Sequence, residues 1–360
     1  MASWLLMLAM AAYLCICAVL FVQWIDPSLN GRTDQHIAAD SSTYLYMADV
    51  LREGLNDPFV LAALSSFPNT LWMPVLFALA LKSTVLMALA NLLLFWISIQ
   101  LFRRTSNIDV GLFLFLLLLN PTTTVSLLSV NKEILDMFAV ALFCYFLSTG
   151  RKWALWIALL IAFINRYEVC VTMMAFLLIR SRLNPWRNRR ATTLIMLTFI
   201  LTICLPVLAA RTLTSRFYEA REGGVIAFLD TLEMHYMFAL AVIPKILEDM
   251  FGELLNFSHW AQYSVDDLAN SYILAFNNLA NVMVLLVLAW KRSMKISSEW
   301  IYLCWTAAIF MAVSLVIQPR YFYFCFVLLC FQAAQPSMVA NRLSRLISAG
   351  ELVANPEHGS

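Results

Sequence analysis

The first stretch with chemical potential is Asp34-Gln-His36-Ile-Ala-Ala-Asp40-Ser-Ser-Thr-Tyr44-Leu-Tyr46-Met-Ala-Asp49-Val-Leu-Arg52-Glu-Gly54. Asp40 followed by Ser41 and Ser42 reads as a helix N-cap, and Gly54 as the stop of that helix. Asp40, Tyr44 and Ala48 then share one face by i, i+4 spacing. A carboxylate at the start of a helix lying on a membrane suits general-base work on an acceptor hydroxyl, and Asp34 is the second acid placed for that role. In a purely structural setting Asp40 would be a cap and Asp34 a solvated acid.

Four further clusters sit at the edges of apolar runs. Asn120-Pro121-Thr-Thr-Thr is followed by Ser129-Val-Asn131-Lys132-Glu133, where Lys132 can hold a phosphate as a point charge beside Glu133. In Arg166-Tyr167-Glu168 the arginine is the anion ligand and Glu168 its neutralising partner, unless the two form a salt bridge that only stabilises the turn. Gln318-Pro319-Arg320-Tyr321-Phe322-Tyr323 places an arginine among aromatics, a setting that binds a diphosphate beside a lipid chain and that an ordinary interfacial belt also provides. Asp230, Glu233, His235 and Lys245 form the last group; His235 lacks a second histidine at ligand spacing, and His259 is too far along for a local motif. The eight cysteines lie almost entirely inside apolar runs with no zinc or disulfide spacing. No phosphate-binding glycine loop, dinucleotide fingerprint, zinc-protease helix or nucleophile elbow occurs.

The elements that must hold these residues are set by composition. Hydrophobic residues make up 62% of the chain and charged residues 13%, with mean hydropathy +0.78. A soluble domain carries about 25% charged residues, and apolar runs of about 20 are its exception. The net charge of +2, without a basic stripe interleaved with aromatics, excludes a nucleic-acid partner and leaves the lipid bilayer as the surrounding phase. Apolar runs predict spans near 4–23, 84–102, 110–129, 134–149, 191–210, 272–290, 300–317 and 321–336. The first lacks a basic leader and a small-residue cleavage site, so it reads as a retained helix. Arg103/Arg104, Arg151/Lys152, the five arginines of 180–190, Lys291/Arg292/Lys295 and Arg342/Arg345 hold 14 of the 24 basic residues, against four of the 22 acids. These loops are therefore predicted to be cytoplasmic and the acid-rich ones to lie outside.

Parity then constrains what lies between. Residues 153–179 have basic loops at both ends yet are too short for two crossings, which need roughly 40 residues. A helical hairpin turning near Asn165-Arg166-Tyr167-Glu168 satisfies both conditions. The stretch 59–81, broken by Pro68 and Pro74, is either a re-entrant hairpin or a short span, and 231–251, interrupted by Pro244, reads as a surface or re-entrant helix. The expected fold is an all-α, polytopic transmembrane bundle of about 8–11 membrane segments, with an amphipathic outer-loop helix and re-entrant or broken helices. Residues 1–348 form a single transmembrane domain with outer loops 24–68 and 211–271, and 349–360 a disordered tail.

Taken together, these features resemble the GT-C superfamily of integral-membrane glycosyltransferases. Asp34 and the Asp40 to Gly54 stretch are similar to that family's first outer loop, with its acid, tyrosine, alanine, leucine and glycine cadence. Pro121 after a long span and Pro319-Arg320-Tyr321-Phe322 late in the chain also resemble family features, and Ser129-Val-Asn131-Lys132-Glu133 is similar to a stretch of EpsG-like and Wzy-type polysaccharide polymerases. The motifs cover about 40 residues, one ninth of the chain; the topology covers most of it. The resemblance implies sugar transfer from a polyprenyl-phosphate or polyprenyl-diphosphate donor to a glycan or lipid acceptor, on the periplasmic or extracellular side of a bacterial inner (plasma) membrane, in cell-surface polysaccharide assembly. Asp40 or Asp34 would deprotonate the acceptor, while Arg320, Arg166 and Lys132, with Glu133, Tyr44, Glu168, Tyr321 and His235 around them, would bind substrate and steady the departing phosphate. No nucleotide or redox cofactor is needed; a bridging divalent metal remains open. A lipid-linked sugar flippase or other multi-pass transporter is the alternative, though it would more often carry paired internal repeats, and none is found.

Overall fold

The computed structural model describes residues 12–13, 15–25, 44–45, 47–48, 72–80, 83–212, 232, 235–255, 265–313 and 322–336. Every regular element among them is helical. A π-helical turn, Phe21–Ile25, follows helical residues 15–20. The rest run α1 (Trp72–Leu79), α2 (Thr84–Thr105), α3 (Val110–Leu118), α4 (Pro121–Leu128), α5 (Glu133–Thr149), α6 (Lys152–Asn165), α7 (Tyr167–Arg180), α8 (Arg190–Thr212), α9 (Phe238–Leu255), α10 (Val265–Trp290), α11 (Glu299–Met311) and α12 (Tyr323–Ala334).

At 22 residues α2 is about 33 Å long, and it is apolar enough to cross a membrane. Ser83 caps it by accepting from the Leu86 N–H, and Arg103 and Arg104 close its last turn. Leu86, Leu89, Leu93 and Trp96 form an exposed stripe along it, while Met87, Asn91, Phe95 and Phe102 are buried. Both faces are thus essentially apolar, the reverse of a helix between core and water. The outward faces of α6 (Trp153, Trp156, Leu160, Phe163) and α8 (Ile195, Phe199, Ile203) repeat the pattern.

The expected span over 110–129 is not one helix. It is α3 and α4, bent by 84° at the break. The cause is local: a residue before proline is driven out of the α region, and Asn120 adopts φ −86, ψ 114. Its Oδ1 accepts the Thr122 N–H at 2.9 Å while Pro121, lacking a donor, starts the new helix. The spans expected at 300–317 and 321–336 are also shorter among the described residues, with 13 helical residues in α11 and 12 in α12. α12 is buried from Tyr323 to Ala334, so it is a core element of the bundle.

α5, also largely buried, is the other core helix. Gly150 ends it at φ 71, a left-handed conformation that favours glycine, with its N–H on Phe146 O at 2.8 Å. The chain then reverses: Trp153 of α6 packs against Tyr145, and Asn165 lies beside Lys132 and Asp136. A single extended residue, Arg166 (φ −150, ψ 104), separates α6 from α7. α7 runs back down, since Phe176 meets Phe143, ten residues along α5 from Glu133. The turn expected near Asn165 to Glu168 is therefore at Arg166, between helices of 14 residues each, about 21 Å apiece.

The described basic loops, at 103–104, 151–152, 180–190 and 291–295, converge on one end of the bundle. Ser148 donates to Thr105 O, joining the ends of α5 and α2. Glu299 pairs with Arg180 at 3.1 Å and Arg190 at 3.0 Å, and Lys291 Nζ donates to Ala333 O at 2.7 Å, capping α12. Phe102 packs on Phe331 at 4.7 Å, bringing the ends of α2 and α12 to the same level. Within the expected outer loop 24–68, Tyr44, Leu45, Met47 and Ala48 are helical. Tyr44 and Ala48 are both buried, against Met73, Met87, Val130 and Leu135, as i, i+4 spacing requires. Within 211–271, α9 is a helix containing Pro244 that packs on α8 and α10. The expected tail, 349–360, lies outside the described residues.

Candidate functional site

The end of the bundle opposite the basic loops holds a buried polar corner. It begins with the start of α5, where Asn131, Lys132, Glu133 and Asp136 fall within little more than one turn. Acids in a first turn are favoured by the helix N-terminus. Because α6 lies antiparallel on α5, its last residue arrives at this level. Asn165 Nδ2 donates to Lys132 O at 3.0 Å and to Asp136 Oδ1 at 2.6 Å.

Arg166 follows in extended backbone, which directs its side chain across the start of α5. Its Nη2 donates to Glu133 Oε1 at 2.8 Å and its Nε lies 3.1 Å from Asp136 Oδ2. The three side chains are 9%, 0% and 3% exposed, so the guanidinium is clamped between two carboxylates away from solvent. Burial on this scale is tolerated only because the charges are paired and hydrogen-bonded.

α4 supplies a hydroxyl wall. The Ser126 hydroxyl donates to Glu133 Oε2 at 3.2 Å. Asn91 of α2 donates to Ser126 O and Ser129 O, holding the end of α4 against α2. The three threonines after Pro121 each meet a different helix: Thr122 donates to Asn277 of α10, Thr123 shares a hydrogen bond with Tyr323 of α12, and Thr124 with Tyr13 near the start of the chain. Above the corner, Lys132 Nζ lies 5.5 Å from the centroid of the Tyr44 ring, a cation–π contact.

Four residues singled out from the sequence, Tyr44, Lys132, Glu133 and Arg166, therefore meet at one place. Glu168 is a correction: it is half-buried on the first turn of α7, and the neutralising role expected of it falls to Glu133 and Asp136. His235 is exposed in the turn before α9 and takes part in none of these contacts. Asp34, Asp40, Arg320 and Tyr321 lie outside the described residues. Tyr323, two positions after Tyr321, is buried and reaches Thr123.

Asp136 and Asn165 were not among the expected ligands. Asp136 carried a readable signal, being an acid one turn inside an apolar run and three residues after Glu133. Asp249, buried on α9 four residues after the earlier candidate Lys245, which is also buried, is a second acid of the same kind. Among the described residues no three His, Cys, Asp or Glu side chains converge as a metal-ligand group. No protein family, curated protein or solved structure matches the chain.

Proposed function

We propose that the chain is a multi-pass membrane glycosyltransferase of GT-C type, moving a sugar or oligosaccharide from a polyprenyl-(di)phosphate donor to a glycan or lipid acceptor. The carrying observation is the convergence of Tyr44, Lys132, Glu133 and Arg166 on a buried charged corner at the end away from the arginine-rich loops. Phosphate recognition calls for lysine and arginine held in fixed geometry, and charges kept at membrane depth are functional candidates by default. The apolar outward stripes of α2, α6 and α8 support burial of the bundle in lipid, and the positive-inside rule then assigns the basic end to the cytoplasm and the corner to the outer leaflet. In this reading Asp40 or Asp34 removes the acceptor proton, the hydroxyl attacks the anomeric carbon, and the carbon–oxygen bond to the donor phosphate breaks. The phosphate leaves as an anion steadied by the cations of the corner and by Arg320.

Two measurements test this. With purified protein and a prenyl-phosphate-linked sugar, Arg320→Lys is expected to weaken donor use measurably and Arg320→Ala more severely, because lysine cannot reproduce the two parallel hydrogen bonds of a guanidinium. Superimposable donor-dependence curves for wild type and the lysine variant would reduce Arg320 to a belt residue. Sidedness is read separately: Asn188→Cys should resist a membrane-impermeant thiol reagent in intact cells and react after permeabilisation, over the background of native cysteines. Labelling from outside would invert the topology and remove the outer-face assignment.

A further inference from the structure

This inference rests on the reading that a phosphate comes to the corner. The charged groups described there are two cations and two carboxylates, Lys132, Arg166, Glu133 and Asp136, exposed by only 8%, 7%, 0% and 2%. A phosphate brought to these groups adds negative charge beside two buried carboxylates, which low-dielectric surroundings penalise. Either a cation accompanies it or a carboxylate is neutralised.

The two carboxylates are not equally placed. Glu133 makes the shorter bond to Arg166, at 2.8 Å, and its other oxygen accepts from Ser126. Asp136 reaches Nε at 3.1 Å, and its other oxygen accepts from Asn165 Nδ2 at 2.6 Å. Asn165 Oδ1 is buried without a hydrogen-bond partner among the described residues. A neutral Asp136 carboxyl would supply what that oxygen lacks. It could still accept from Asn165 Nδ2 while its O–H donates to Asn165 Oδ1, a closed acid–amide pair.

We propose that Asp136 is the counter-ion that an incoming phosphate displaces from Arg166, the displaced carboxylate taking one proton from solvent and being held by Asn165. Among the described residues, the ionisable groups facing Asp136 are Lys132 and Glu133 on its own helix, Arg166 on the hairpin and Tyr323 on α12. α2 and α4 present neutral amide and hydroxyl groups to the corner. Phosphate affinity should therefore fall as pH rises, because binding draws in a proton.

The test uses the full chain in zwitterionic nanodiscs, with farnesyl diphosphate and inorganic pyrophosphate as separate probes; stronger binding of the former marks a lipid-linked ligand, equal binding a free one. Calorimetry in buffers of different ionisation heat should read uptake of about one proton per ligand, with log affinity falling about one unit per pH unit above neutrality. Asn at position 136 mimics the neutral carboxyl, so Asp136→Asn should bind at least about tenfold more tightly at pH 8, with a flat pH profile. A purely structural aspartate would give weaker or unchanged binding in a folded variant, and that result overturns the proposal. So does wild-type binding without proton uptake, or binding that instead requires a divalent metal; either leaves the corner a phosphate site if Arg166→Gln abolishes it. Absence of binding by wild type at every pH removes the phosphate reading and this inference together.

Discussion

Replacing Arg166 by glutamine is expected to destabilise the protein by about 3–5 kcal/mol, the usual cost of removing one partner from a buried ion pair. Glu133 and Asp136 would be left facing each other, 0% and 3% exposed at their side chains, with Lys132 as the nearby cation. Glutamine keeps hydrogen-bond donors but not the charge, so the loss isolates electrostatics from shape. Thermal unfolding in detergent measures it. Restoring the charge balance with Glu133→Gln in the same chain, which leaves Lys132 opposite Asp136, should recover much of the stability, since no excess buried charge then remains. Under the proposed function sugar transfer should not recover with it, because the guanidinium that would hold the phosphate is still missing. A single Arg166→Gln variant as stable as wild type would show that the clamp contributes nothing to the fold.

Asp40→Asn is expected to lower sugar transfer by about 10²–10⁴-fold, the usual loss when a positioned general base is removed. Expression and unfolding temperature should be unchanged, since asparagine is as good an N-cap as aspartate. The motivation is that Tyr44, four residues on, is buried against Val130 and Leu135 and lies over Lys132. A carboxylate one helical turn before it would face the same corner. Near-normal transfer by Asp40→Asn together with loss in Asp34→Asn would move the base to Asp34. Activity in both variants would end the catalytic reading of this loop.

Much of the architecture was legible from local rules. The reversal at Arg166 follows from the parity of short segments between basic loops, and Ser83 as a cap and Gly150 as a stop, though not singled out from the sequence, follow from residues acting within a turn of themselves. The break at Asn120-Pro121 was equally local but was obscured by the hydropathy of the flanking leucines, which average over the bend. Hydropathy registers composition, and proline at the first helical position changes direction without changing composition.

Partnership was not local. Arg166 and Glu168 are two residues apart, but Arg166 is extended and Glu168 lies on the first turn of α7, and the antiparallel packing of α6 on α5 brings Arg166 instead to acids 30 and 33 positions back. The same packing made Asp136 and Asn165 part of the corner and left His235 out of its contacts. By itself the sequence determined the helical class, the apolar faces and the clustering of positive charge, because these depend on residue type and spacing. Only the tertiary structure decided which charges neutralise which, because burial penalises every unpaired group and the pairing is set by which helices pack side by side.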